Sequence, residues 1–177
     1  MKTIEEIDAL MSAAVEAGLD GLDFMAEFDY DQLADGYNGI GPEFLPAGIR
    51  LVVSKFLHIF APAAFGHDLR NELSDGTRVG FCAANEEFLR NCIKLAAYYC
   101  KDDYKRRVRA VSAAIVLYEF VSSERFGWRA WLEAQERHAE KLSSGNSVWN
   151  TTKNKPQRTE ETGEGGTRTP VSPALCG

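Results

Sequence analysis

His67 and Asp68 stand side by side in the run Pro62-Ala-Ala-Phe-Gly-His67-Asp68, and their types suit two different kinds of chemistry. An imidazole titrates near neutral pH and can carry a proton in both directions, whereas a carboxylate is a hard oxygen donor for a cation. Successive residues of a helix point about 100° apart, so the two side chains cannot share one partner but can serve adjacent tasks in one cleft. The pair alone equally suits a solvated helix face or a core histidine, and its surroundings have to decide. Two of them bear on it. Asn85 falls on the Phe88 face of a later apolar stripe, and Gly36-Tyr37-Asn-Gly39-Ile-Gly41-Pro42 sets three glycines and a proline in seven residues, which breaks a helix and forces a loop with accessible carbonyls.

The elements that position these residues read as helices throughout. Thr3-Ile4-Glu5-Glu6 has the form of a capping box, and Ile4, Ile7, Met11, Ala14 and Val15 follow at helical spacing up to a stop at Gly18. Residues 20 to 37 mix aromatic residues with aspartates and read as a short helix or a turn-rich link. After the glycine loop, Pro46 suits a first helical turn, and Ile49, Val52, Val53, Phe56, Leu57 and Phe60 predict a helix to about Phe60. Pro62 is expected to restart the chain as a second helix ending near Leu73, before a turn at Ser74-Asp75-Gly76-Thr77. A long helix from Cys82 to Cys100, one carrying Val108 to Val121, and a last one from Trp128 fading by Leu142 complete an all-α domain over residues 1–142. Residues 143–177 are rich in Ser, Thr, Asn, Gly, Pro and Glu and are expected to be a disordered tail.

Taken in order, the glycine loop with Tyr37, Gly39 and Gly41, the helix with His67-Asp68 and the antiparallel helix with Asn85 resemble phospholipase A2. The likeness is to the compact bacterial and phage-encoded phospholipase A2-like domains, whose Gly-Pro-x-Phe-Leu-Pro and Pro-Ala-x-x-His-Asp runs read here as Gly41-Pro-Glu-Phe-Leu-Pro46 and Pro62-Ala-Ala-Phe-Gly-His67-Asp68, the second with one extra residue. It covers roughly residues 36 to 100. The resemblance implies a small helical domain built around an antiparallel helix pair, and calcium-dependent hydrolysis of a phospholipid carboxylic ester by a water that His67 activates. It implies a catalytic pair of His67 and Asn85, and Ca2+ held by Asp68 and the carbonyls of Tyr37, Gly39 and Gly41. It also implies transient contact with a phospholipid or membrane surface. Two departures stand out: Asn85 occupies the place of an aspartate that would offset imidazolium charge, and Asn71 stands where a tyrosine follows the histidine by one turn.

Composition limits the alternatives. The formal charge is −6, with eleven acidic and no basic residues from Thr3 to Ile49, which argues against sequence-independent nucleic-acid binding. The basic cluster Lys105, Arg106, Arg107 and Arg109 reads as a solvated helix face, and a helical nucleic-acid-binding regulator built on it is the weakest alternative. A stronger one is a non-catalytic binding or assembly module in which His67 and Asp68 only pin helices together. The acidic segment is not an EF-hand, because starting the ligand pattern at Asp29 or Asp31 puts Leu33 at a ligand position. The charged start lacks a signal-peptide core, no apolar run is long enough to span a bilayer, and Cys82, Cys92, Cys100 and Cys176 fit no metal spacing, so reduced thiols in the cytoplasm are expected.

Overall fold

The computed structural model describes residues 3–37 and 56–143, and every regular element among them is helical. In chain order these are α1 (Ile4–Glu16), α2 (Leu22–Met25), α3 (Tyr30–Gly36), α4 (Leu57–Glu72), α5 (Arg78–Tyr99), α6 (Tyr104–Val121), a π-helical turn (Glu124–Trp128) and α7 (Arg129–Ser143). The all-α expectation holds. The glycine loop beyond Tyr37, most of the helix expected from Pro46, and the tail beyond Ser143 lie outside the described residues.

Local chemistry accounts for most boundaries. Thr3 forms the capping box with Glu6, its hydroxyl accepting from the Glu6 amide while the Glu6 carboxylate accepts from the Thr3 amide. Gly18 takes the left-handed conformation (φ 62°) that ends α1. Asp29 repeats the device with Gln32 at the start of α3, and Thr77 and Asp103 cap α5 and α6. The turn before α5 is side-chain made: Gly76 donates to Ser74 Oγ and Thr77 to Asp75 Oδ1.

Pro62 corrects one expectation. It does not restart the chain but lies inside α4, which runs unbroken from Leu57 to Glu72. A mid-helix proline forfeits a backbone hydrogen bond and costs about 3 kcal/mol or more. Burial offsets that cost, because Ile59, Phe60, Ala63, Ala64, Phe65 and Leu69 are all sealed in the core. At roughly 1.5–3 kcal/mol for each large side chain, the burial outweighs the lost bond.

α4 is the central helix, touched by α1, α3, α5 and α7, with α5 as its principal partner and α6 packed along α5. On α5 the buried face is Phe88, Cys92, Leu95 and Ala96, and on α6 it is Ala110, Ala113, Ala114 and Leu117, whose small residues permit close approach. Cys92 and Cys100 are buried free thiols. Cys82 is disulfide-bonded, which corrects the expectation of four reduced thiols: the spacing argument excluded a bridge only between Cys92 and Cys100, and Cys82 sits half-buried at the other end of α5, beside Phe81 and Trp131.

The acidic N-terminal segment is clipped onto α5 through Asn91, which is 3 % exposed: its Oδ1 accepts from the Asp20 amide (2.7 Å) and its Nδ2 donates to the Asp20 carbonyl (3.1 Å). Lys94 adds bonds to the Gly18 carbonyl (2.9 Å) and to Asp20 Oδ1 (2.6 Å), and Arg90 reaches Asp20 Oδ2 (3.1 Å). The Lys94 hydrogen bond holds the Asp20 carboxyl below the usual carboxylate range despite some desolvation. A depressed carboxylate stabilises the fold above its ordinary titration and ceases to as pH falls through its lowered value.

A second small core joins the C-terminal elements to the start of α5. Phe81 packs edge-on against Trp128 (5.3 Å) and Trp131 (6.0 Å), and Arg78 lies over the Trp128 ring (4.3 Å) while pairing with Glu124. Both tryptophans serve packing here. The π-turn between α6 and α7 is closed by the Trp128 amide donating to the Ser123 carbonyl (3.0 Å). At Gly127 a Cβ would run into the Val121 carbonyl oxygen, so backbone rests directly on backbone there. Gly127→Ala is expected to lower stability by about 1–3 kcal/mol by forcing the turn off α6. Asn91→Ala, which strands two backbone groups of Asp20, is expected to cost about 1–3 kcal/mol. Urea denaturation of the two variants measures both.

Candidate functional site

α4 carries His67 five residues past Pro62, at the level where its buried stretch gives way to half-buried positions. Phe65 and Leu69 point into the core on one side, and His67 faces α5 on another, its ring 4.9 Å from the Phe88 ring. Arg70 secures the same helix pair: its guanidinium meets both Glu87 oxygens (3.0 and 3.3 Å) and lies 3.7 Å over the Phe24 ring. This bidentate, half-buried pair fixes the register of α4 against α5.

The imidazole is held at both nitrogens. Nε2 lies 2.9 Å from Asn85 Oδ1, and Nδ1 lies 3.2 Å from Asn71 Nδ2. Asn85 is 1 % exposed, and its Nδ2 donates to the Phe81 carbonyl (2.9 Å), which fixes the amide with its oxygen toward the ring. The proton therefore sits on Nε2 and is donated to Asn85, leaving Nδ1 with the lone pair that accepts from Asn71. Burial pushes the His67 pKa down, against the smaller upward pulls of the Asn85 hydrogen bond and the Glu87 charge, so the ring is a neutral base at neutral pH.

His67 and Asn71 open onto a cleft of about 480 Å³. Its far wall comes from the end of α6, the π-turn and the start of α7: Phe120, Val121, Arg125, Phe126, Arg129 and Glu133. Phe120 and Phe126 stack at 4.7 Å, and Arg129 Nε pairs with Glu133 Oε1 at 2.8 Å. Reading the sequence missed this wall. The pattern Ser122-Ser123 before Glu-Arg-Phe-Gly127 marks a break between two helices, but no local signal distinguishes a π-turn from an ordinary one. Asn71, noted only for the tyrosine it replaces, proves to be a direct partner of the imidazole.

The remaining expected site residues divide. Asp68 and Tyr37 lie close enough for the Asp68 charge to add to the burial that raises the Tyr37 hydroxyl pKa, and Tyr37 packs edge-on against Phe65 at 5.3 Å. Gly39 and Gly41 fall outside the described residues. Among those described, no group of three or more His, Cys, Asp or Glu side chains converges as a metal site. The exposed positions of Lys105, Arg106 and Arg109 agree with a solvated face, and no described helix is long and apolar enough to cross a membrane.

Because its pKa is lowered, His67 should titrate below the ordinary histidine value of about 6.5 in an NMR pH titration. The unfolded chain then takes up its proton first, so the His67 contribution to stability is complete above that value and declines as pH falls through it. Asn85→Asp, which puts an anion against Nε2–H, is expected to raise the midpoint. No family model, no curated protein and no solved structure matches this chain.

Proposed function

We propose that the chain is a phospholipase A2-type hydrolase that cleaves a phospholipid or related carboxylic ester by a water activated at His67. The observation that carries this reading is the orientation of the imidazole. Asn85, itself anchored to the Phe81 carbonyl, takes the Nε2 proton and leaves the basic Nδ1 on the side of a cleft large enough for a substrate.

In this mechanism the Asn71 amide leaves Nδ1 when a water and the ester carbonyl enter. Nδ1 takes the proton of the water as its oxygen bonds to the carbonyl carbon, and the resulting imidazolium keeps its Nε2–H bond to Asn85. Collapse of the tetrahedral adduct expels the alcohol, which takes the proton back from Nδ1. Asn85 orients the ring but offers no negative charge to the imidazolium, and Asn71 competes with the water, so turnover is slow. Calcium, held by Asp68 with the carbonyls of Tyr37, Gly39 and Gly41, is the cation this reading calls for, and bound there it would polarise the ester carbonyl and offset its developing charge.

One observation favours a second reading, a non-catalytic module that keeps the helix pair: Asn71 satisfies Nδ1 and completes a closed set of hydrogen bonds around the ring. Calcium-dependent release of fatty acid from phospholipid vesicles separates the two. Under the hydrolase reading His67→Ala abolishes release, Asn85→Asp raises it several-fold, and Asn71→Ala, which uncovers the base, raises it as well. Absence of release from the parent protein and from all three variants at millimolar calcium would establish the module instead.

A further inference from the structure

The wall of the His67 cleft is built by residues 120–133, outside the stretch that carries the family resemblance, so its chemistry belongs to this chain. It combines an apolar surface (Phe120, Val121, Phe126 and Ala130) with two arginines and one glutamate. Phe126 remains 42 % exposed although it stacks on Phe120, so apolar area is left uncovered at this wall. Glu133 is engaged by Arg129. Arg125 has no ion-pair partner among the described residues, and its guanidinium lies 5.3 Å from the centre of the Phe126 ring. With His67 neutral, the ionisable lining carries one net positive charge, located at Arg125.

We infer that this cleft binds an anionic amphiphile, with its alkyl chain along Phe120, Val121 and Phe126 and its anionic group on the Arg125 guanidinium. This rests on the hydrolase reading for its biological sense, since it sets the substrate class as an anionic rather than a cationic or uncharged lipid ester, but it stands or falls on binding alone. An apolar wall next to a lone cation selects a ligand having both parts: the chain alone leaves Arg125 unpaired, and the anion alone leaves the aromatic surface wet. A guanidinium suits the oxygens of a phosphate or carboxylate by its planar fork. The π-turn places Arg125 and Phe126 together at the rim, while Gly127 seats the turn on the Val121 carbonyl and fixes the wall.

The test is calorimetric titration of the full chain with dodecyl phosphate below its micelle concentration, beside dodecyl maltoside, dodecyltrimethylammonium and inorganic phosphate. Dodecyl phosphate is expected to bind, the other three at least about tenfold more weakly, and Arg125→Gln to weaken dodecyl phosphate by about tenfold, the value of one charge-assisted hydrogen bond. Arg125→Lys should retain more of the affinity than Arg125→Gln, and Lys105→Gln with Arg106→Gln, on the exposed face of α6, should change nothing. Equal binding of the maltoside, equal binding of inorganic phosphate, or unchanged binding by Arg125→Gln would overturn the proposal. His67→Ala separates it from the hydrolase reading. That variant should still bind dodecyl phosphate, so binding without hydrolysis in the parent protein refutes the chemistry and keeps the ligand, whereas hydrolysis unaffected by Arg125→Gln with no amphiphile binding does the reverse.

Discussion

The architecture depends on a helix that has almost no solvent face. From Ile59 to Gly66 α4 is sealed by α1, α3, α5 and α7, and a helix apolar on every side can be stable only inside such a jacket. With the exception of Glu72, which is buried at its C-terminal end, the polar groups on it lie where the jacket opens. His67, Asp68, Arg70 and Asn71 all fall after Gly66, where the buried run gives way. Each has an interaction that ties it to its surroundings: His67 to Asn85, Arg70 to Glu87, Asn71 to His67, and Asp68 to the neighbourhood of Tyr37. The site is the polar end of a hydrophobic rod.

The same constraint explains which parts of the structure are readable locally. Thr3 with Glu6, Asp29 with Gln32 and Gly18 act within four residues of themselves, so their caps and stops follow from sequence alone. Pro62 does not. Its local rule predicts a break, and burial of Phe60, Phe65 and Leu69 in the core between helices overrules it, an energy that depends on partners distant in the chain. The pairing of His67 with Asn85 was legible because a resemblance named the partner. Its consequence for the tautomer needs the Phe81 carbonyl, one turn back on α5; helical spacing puts that carbonyl within reach of the amide, but the sequence does not single it out as the partner. The cleft wall was illegible because it joins residues of α4 with residues about fifty or more positions later.

Two kinds of contact hold the halves of the chain around this rod, and they differ in what they tolerate. The N-terminal segment is clipped by Asn91, Lys94 and Arg90 onto the backbone and carboxylate of Asp20, directed bonds that add to the burial of Ile7, Leu19, Met25 and Leu33. The C-terminal elements are held by Phe81, Trp128 and Trp131, where aromatic area rather than direction supplies the stability. The catalytic candidate lies between the two, on the helix both halves cover. Asn85 belongs to both the aromatic region and the polar site, because the carbonyl that orients its amide is that of Phe81.

The π-turn makes the cleft a matter of register. It holds one more residue than an α-helical turn of the same span, and the Trp128 amide reaches back five positions to Ser123 to close it. Excising a single residue there would leave every side chain chemically intact yet rotate all of α7 by about 100° and withdraw it by about 1.5 Å. Trp131 would leave Phe81, and Arg129 and Glu133 would leave the wall that faces His67. The shape of this cavity is thus encoded by counting along the backbone, and chain length in the segment between α6 and α7 is as much a determinant of what the cleft admits as the residues that line it.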